Sequence, residues 1–231
     1  MQSVPDLSTI AGLIGDPTRA TILWTLLDGQ SLPATELARR AHITAQTMST
    51  HLAKLVEGGL LEVNRIGRHR YYRIKNAEVA HALEALSTIA PPPQFKPKRE
   101  SEETRALTFA RTCYDHLAGK LGVMLTQTLL DSDVIVLDEK AYRLTEQGSR
   151  WLATWNIDER QLRKSRRIFA CPCLDWSERR EHLAGALGAA ITAQLFERGW
   201  IMRIPGKRAL RLTAAGRSGF QQEFGLVIKD V

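Results

Sequence analysis

The sequence predicts a mainly α-helical protein with small β hairpins, an α+β fold arranged in two parts. Three observations predict this class. Apolar residues recur at helical spacing between cap residues and glycines, and short runs rich in β-branched and aromatic residues flank tight turns. In addition, a set of short motifs occurs twice in the second half of the 231 residues.

The composition and net charge indicate which class of partner the protein binds. The chain carries 32 Lys and Arg against 25 Asp and Glu, a net charge of +7. This favours a polyanionic partner, and nucleic acid before membrane, because no basic amphipathic helix with bulky apolar residues stands out. The sequence has no apolar run of membrane-spanning length and no signal-peptide pattern, so we expect a cytoplasmic protein without a membrane partner.

The first helices are marked by their caps. Asp16 is a good N-cap, and Pro17 suits the first turn of the helix that follows, which ends at Gly29. A short helix, PATELARRA, comes next, and Thr44 then caps a helix that runs to Gly58. Two short helices joined by a tight turn predict a helix-turn-helix arrangement.

A hairpin and one more helix complete the first part. The runs LLEVNRI and HRYYRI are strand-like and are separated by a tight turn at Gly67. Asn76 caps the following amphipathic helix, whose apolar stripe is Val79, Leu83 and Leu86. Positive charge is concentrated within eleven residues that contain no acid, at Arg65, Arg68, Arg70, Arg73 and Lys75.

These elements, in this order, resemble the ArsR/SmtB family of bacterial winged helix-turn-helix transcription regulators. The resemblance rests on IGDPTRATIL, ELARRAHITAQTMSTHLAKLVEGGLLEV and NRIGRHRYYRI, and it covers about residues 7–89. It implies a homodimer that pairs through the first helix and the helix after the hairpin, binds palindromic double-stranded operator DNA and usually represses. The inducer that releases such a repressor stays open between a small molecule, a redox signal and a metal.

The helix that begins at Thr44 starts with short hydroxyl side chains, although these residues disfavour helix. A recognition helix meets the major groove with its N-terminal residues, which must be short enough for close approach and polar enough to bond bases or phosphates. Gln46, for example, can make paired hydrogen bonds to adenine. We therefore predict DNA contacts from Thr44, Gln46, Thr47, Ser49, Thr50 and His51.

The hairpin corresponds to the wing of the winged-helix family. A basic two-stranded tip of this kind lies along the phosphate backbone or in the minor groove. The predicted wing contacts are Arg65, Arg68, His69 and Arg70.

The second part contains an internal repeat. HLAGKLG at 116–122 recurs as HLAGALG at 182–188, and RLTEQG recurs later as RLTAAG. In each copy we expect a small-residue helix, two strand-like runs around a turn and a threonine-capped helix. The sequence therefore predicts two winged-helix-like repeats, at about 106–157 and 174–231.

The composition between the two parts predicts a boundary. The stretch APPPQFKPKRESEETR is rich in proline and charge and is typical of a linker. The predicted domains are a DNA-binding and dimerisation domain at 1–90, a linker at 91–105 and a duplicated accessory or sensor domain at 106–231.

All three cysteines lie in the second part, as Cys113, Cys171 and Cys173, too few for a disulfide framework. The ligands of the family's familiar metal sites are missing, because LPATELARR has no cysteine and the helix after the wing has only one histidine. Three thiolates suit a soft trigonal ion such as As(III), and adding His116 gives the four ligands of tetrahedral zinc.

The role of these side chains stays open at this stage. His116 recurs as His182 with no cysteine beside it in the sequence, which favours a framework role for the histidine. Buried structural thiols, a redox or thiol sensor, and a site for a thiophilic metal or metalloid are the alternatives. No cofactor is therefore certain.

Two further hypotheses concern ligands and catalysis. Five aromatic residues could line an apolar pocket for a ligand or simply form core, namely Trp151, Trp155, Phe169, Trp176 and Trp200. Cys113 and His116 could share a helix face, but no glycine-rich loop, nucleotide fingerprint or paired carboxylates accompany them. We therefore predict that the protein is not an enzyme.

Overall fold

The computed structural model describes residues 6–67, 69–91 and 101–229. The chain divides into two units, the first running to Ala82 and including Gly206–Arg208, the second comprising Leu83–Pro205 and the chain from Ala209 onward. Arg68 and most of the predicted linker lie outside the described residues. No helix in the described ranges is long and apolar enough to cross a membrane.

The first unit contains the helices and the hairpin expected from the sequence. Its three short strands form one antiparallel sheet in the order β1-β3-β2, and its last helix runs on into the second unit. The elements are α1 (Leu7–Ile14), α2 (Pro17–Leu26), β1 (Leu32–Pro33), α3 (Ala34–Arg40), α4 (Ala45–Glu57), β2 (Leu61–Ile66), β3 (His69–Ile74) and α5 (Ala77–Ile89).

Capping residues fix where these helices begin. The side chains of Asp16, Thr44 and Asn76 each accept a backbone N–H of the first helical turn, at 2.9, 3.2 and 3.0 Å. A helix begins with N–H groups that lack a partner, and these side chains supply one. The predicted starts of α2, α4 and α5 are therefore confirmed.

The core of the first unit comes from the inner faces of α2, α3 and α4. Each leucine that is fully buried in this way contributes about 1.5–3 kcal/mol relative to exposure. The buried residues include Ile22, Leu23, Leu26, Leu37, Met48, Leu52 and Leu55.

The second unit repeats one order of elements twice. Each copy has a helix, a hairpin, a longer helix, a second hairpin and a threonine-capped helix. The first copy is α6 (Glu102–Phe109), β4 (Arg111–Cys113), β5 (His116–Ala118), α7 (Gly119–Asp131), β6 (Ile135–Asp138), β7 (Ala141–Leu144) and α8 (Glu146–Thr154). The second copy is α9 (Glu159–Lys164), β8 (Cys171–Leu174), β9 (Glu181–Ala184), α10 (Gly185–Glu197), β10 (Ile201–Arg203), β11 (Leu210–Leu212) and α11 (Ala214–Phe224).

The motif HLAG is a strand that turns into a helix, so its prediction as a helix was wrong. The residues His116–Ala118 form β5, and α7 begins only at Gly119. Gly119 has φ +79°, and a Cβ there would lie 2.6 Å from the carbonyl oxygen of Thr108. The glycine serves this strand-to-helix corner, where a side chain would clash.

The repeats also begin earlier than the sequence indicates. The helix α6 starts at Glu102, inside the stretch predicted as linker, and Ser101 caps it by accepting the N–H of Thr104 at 3.1 Å. In the second copy, α9 and the start of β8 precede position 174. These short elements were not predicted because the sequence around them is rich in charged residues and proline.

Candidate functional site

The helix α4 exposes its polar N-terminal half. Thr44, Gln46, Thr47, Ser49 and Thr50 are all exposed. Met48, Leu52 and Leu55 of the same helix are buried and hold it against the core of the first unit. The structure thus brings five of the six predicted recognition-helix residues together on one accessible surface.

The hydroxyl groups of this surface are satisfied locally. Ser49 Oγ donates to the carbonyl of Ala45 at 2.9 Å, and Thr50 Oγ1 donates to that of Gln46 at 3.4 Å. Bonds of this kind let a helix tolerate residues that otherwise compete with its backbone. These hydrogen bonds are weak enough for each hydroxyl to donate instead to a base or to a phosphate oxygen.

His51 lies apart from that surface. Its side chain is only 17% exposed, and its Nδ1 lies 3.7 Å from Asp16 Oδ1 of the cap of α2. The pKa of Asp16 is lowered, chiefly by the N–H of Arg19 and with a contribution from His51. The geometry therefore places His51 at the junction of α2 and α4.

In the wing, two arginines lie opposite each other on neighbouring strands, and no acidic side chain of the described residues forms an ion pair with either. Arg65 pairs directly across the β2–β3 ladder with Arg70, and Ile66 pairs with His69. No ion pair in the described part of the chain involves Arg65 or Arg70, whereas Arg73 on the same hairpin pairs with Glu62. Like charges directly opposite in a hairpin are unfavourable, so this pair suits an anionic partner. Arg68, the fourth predicted wing contact, is outside the described residues.

Two hairpins of the second unit meet at a cluster of two thiols and two imidazoles. Cys113 pairs across the β4–β5 hairpin with His116, and Cys173 pairs across the β8–β9 hairpin with His182. One ligand atom from each of the four side chains lies within 4.8 Å of the other three. Cys113, His116 and His182 are buried, with 3%, 5% and 1% exposure.

This cluster corrects the sequence analysis at two points. Cys113 and His116 face each other across a hairpin and do not share a helix face. His182 does have a cysteine partner, Cys173, in the same register position. The second hairpin has a longer loop, so that cysteine and histidine are nine positions apart instead of three, which hid their equivalence.

Cys171 is not part of this set of four ligand atoms. The three cysteines are not joined in disulfides. Burial raises the pKa of the Cys171 thiol, while a hydrogen bond with Cys113 lowers the pKa of Cys173 against the effect of burial. The two cysteines of β8 therefore lie in different environments.

The two histidine rings lie side by side in the cluster. Their Nε2 atoms lie 3.1 Å apart, and their centroids 5.1 Å apart. Both Nδ1 atoms are buried without a hydrogen-bond partner. The nearest carboxylates are Asp115, with Oδ1 3.5 Å from His116 Nδ1, and Asp175, with Oδ2 3.6 Å from His182 Nδ1.

Asp175 lies between this cluster and Glu84, which is on the part of α5 that belongs to the second unit. Its carboxylate is fully buried and accepts hydrogen bonds from Arg111 Nη2 at 2.8 Å and from the N–H of Gly119 at 2.7 Å. Burial opposes ionisation, but Arg111 and the hydrogen bonds hold the pKa of Asp175 at about 2. Arg111 Nε in turn donates to Glu84 on α5 at 3.2 Å, and Trp176 Nε1 donates to the same oxygen at 3.1 Å.

Four of the five aromatic residues proposed as a pocket belong to or pack against one hydrophobic core, and Trp176 lies apart from it. The ring of Trp155, in the core, contacts those of Trp151 and Trp200, with centroid distances of 4.8 and 5.6 Å. Trp176 stacks on Arg111, and Phe169 lies against Arg163. The structure does not bring the five together around one cavity.

Comparison with known proteins agrees with the geometry of the first unit. A family model described as a helix-turn-helix domain matches residues 14–64. The HTH-type transcriptional regulator YdfF of Bacillus subtilis is 43% identical over 224 residues, which cover 97% of this chain and 99% of YdfF. The HTH-type transcriptional regulator CmtR of Mycobacterium tuberculosis is 35% identical over 83 residues, which cover 36% of this chain and 70% of CmtR.

Two solved structures are similar to part of this chain. The transcriptional repressor BigR of Xylella fastidiosa is 27% identical, with coverage of 38% of this chain and 89% of BigR and a TM-score of 0.35. The cadmium metal-sensor CMTR of Mycobacterium tuberculosis is 30% identical, with coverage of 42% of this chain and 99% of that protein and a TM-score of 0.33.

Proposed function

Because this chain belongs to the ArsR/SmtB family of winged helix-turn-helix transcription regulators, we propose that it acts as a homodimeric repressor whose α4 helices and wings bind a palindromic operator. The family is one of DNA-binding regulators and not of enzymes. Beyond membership of this family, we propose the DNA contacts, the homodimer and the release of the operator by an inducer. It also places the protein in the cytoplasm, where its operator would be.

The exposed surface of α4 carries this proposal. Its N-terminal half offers an amide and several hydroxyls while its apolar side chains are buried. Gln46 has the donor and acceptor pair that fits the edge of adenine. Arg65 and Arg70 on the wing supply charge for the phosphates that flank the groove.

The apolar surface of α1 supports a homodimer. None of the residues of α1 is buried, although the helix LSTIAGLI is largely apolar, and Leu7 is 72% exposed. On α5, Leu86 and Ile89 are 44% and 80% exposed. Exposed apolar faces of this kind are typical of a surface that a second copy of the chain covers.

A thiophilic metal is the inducer class that the second unit favours. The cysteine–histidine cluster is buried, and it is connected through Asp175 and Arg111 to Glu84 of α5. A small molecule and a redox signal are the other inducer classes. Measuring operator affinity after each kind of inducer is added separately distinguishes the three classes.

Footprinting of the region upstream of the protein's own gene tests the function. We expect one protected palindrome in the presence of excess random DNA, with protection lost when the inducer is added. A protein that protects all sequences equally, or none, would contradict a sequence-specific operator.

A further inference from the structure

The geometry points to a metal-binding site in the second unit, formed by Cys113, His116, Cys173 and His182, that takes one zinc-class divalent cation per chain. This site specifies the metal-inducer part of the proposed function and rests on it, but metal binding is measured without DNA, so its failure is distinguishable from a failure of operator binding. It also differs from a three-cysteine site, since Cys171 contributes no atom to the set.

The distances fit a tetrahedral ion after small shifts. Zinc binds nitrogen at about 2.0–2.1 Å and sulfur at about 2.3 Å, which puts two nitrogens of one tetrahedron about 3.3 Å apart. The two Nε2 atoms are 3.1 Å apart, and all four ligand atoms lie within 4.8 Å of one another. Two sulfurs with two imidazoles form a donor set that favours zinc over the harder ions.

The carboxylates beside the rings support the same assignment. A histidine that binds a metal through Nε2 keeps its proton on Nδ1 and directs it to a carboxylate or carbonyl. Asp115 and Asp175 lie 3.5 and 3.6 Å from the two Nδ1 atoms. With both protons on Nδ1, the lone pairs of the two Nε2 atoms face each other, and a cation between them relieves the repulsion.

The charge balance suits a buried site. On binding, Zn²⁺ displaces the protons of two thiols, which leave to solvent, and two thiolates then neutralise the ion. The imidazoles stay neutral, so no net charge is added among side chains that are mostly buried. A buried charge without compensation would be strongly disfavoured.

Both copies of the repeat supply the same half of the site. Each gives one cysteine and one histidine paired across its first hairpin, at equivalent register positions. A single framework histidine would not need a cysteine opposite it in both copies. Two cysteine–histidine pairs, one from each copy, supply the four ligands that one shared ion requires.

Cobalt provides the direct test on the full-length protein. We expect the reduced, metal-free chain to bind Co²⁺ to saturation at one equivalent, with the visible bands of a tetrahedral ion and a thiolate-to-cobalt charge-transfer band, and Zn²⁺ to displace it. Absence of the charge-transfer band in the folded wild-type protein would overturn the site.

Substitutions identify the ligands, with Cys171→Ser as the matched control from the same strand. Cys113→Ser and Cys173→Ser should lose the charge-transfer band, whereas Cys171→Ser should keep it. Asp115→Asn should weaken the affinity for Co²⁺ by about 10–100-fold, because it removes the carboxylate beside His116 Nδ1. An undiminished band in either ligand variant, or a lost band in Cys171→Ser, would overturn the assignment.

A measurement on the unsubstituted chain guards against variants that do not fold. Zn²⁺ should slow alkylation of Cys113 and Cys173 by iodoacetamide, read at each residue by mass spectrometry, and should leave Cys171 reactive. Equal protection of all three thiols, or protection of none, would contradict the proposed ligand set.

Discussion

Gln46 is the residue through which α4 is expected to read sequence. It lies on the exposed N-terminal half of the helix, and its amide can donate and accept at one base edge. We expect Gln46→Ala to cost about 1–3 kcal/mol on the operator. Affinity for random DNA should hardly change, and titrations of both DNAs by fluorescence anisotropy measure the difference. An equal loss on both would show that Gln46 does not read bases.

Arg111 is the residue on which the buried charges of the second unit depend. Its side chain is 1% exposed and lies between Glu84 and Asp175. Arg111→Met leaves these carboxylates buried without their cation, and we expect a loss of about 3–5 kcal/mol in the free energy of unfolding. Urea denaturation measures it. Arg150→Met, which breaks an exposed pair with Glu146, is the matched control and should change little.

The wing is expected to contribute positive charge to DNA binding without sequence preference. Replacing Arg65 and Arg70 together by Gln should weaken binding to every DNA. The slope of log affinity against log salt should become shallower by up to about two, since each phosphate contact releases about one counterion. Arg73→Gln serves as the control because Arg73 pairs with Glu62. If the slope stays unchanged in the double variant, the wing does not touch the backbone.

The helix α1 carries the prediction about dimerisation. Leu7→Glu places a charge on a helix with no buried residue, so the fold of one chain should be preserved. The dissociation constant of the dimer should rise. Sedimentation equilibrium measures this. Leu137→Glu, at a site on β6 that is 56% exposed, is the control that should leave the dimer intact.

The elements differ in how well the sequence reveals them. Thr44 and Asn76 mark helix starts because a cap acts within one turn, and both predictions are confirmed. The hairpin with Cys113 escaped detection because a strand of three residues has too little alternation to recognise. Cys173 and His182 were not paired, since the length of a hairpin loop cannot be read from residues that do not themselves repeat.

Binding of metal at the proposed site and binding of operator DNA should each change the affinity for the other. Asp175, Arg111 and Glu84 form a continuous buried line from beside His182 to α5. We expect Zn²⁺ to change operator affinity by about 1–3 kcal/mol, and the operator to change Zn²⁺ affinity by the same factor. Glu84→Gln should keep metal binding and reduce this coupling, which a four-state binding cycle measures. Unaltered coupling in that variant would exclude this line as the route.

The division of the cluster between two hairpins has a consequence for the ancestry of the chain. Each repeat contributes a single cysteine and a single histidine to the cluster, so a protein made of one repeat could complete these four ligands only by pairing with a second molecule. The present chain is then equivalent to such a pair joined by gene fusion. Fusion removes the need for the halves to stay identical, which permits the unequal hairpin loops and lets Asp175 serve one histidine through a buried contact while Asp115, which pairs with Arg167 at the surface, serves the other.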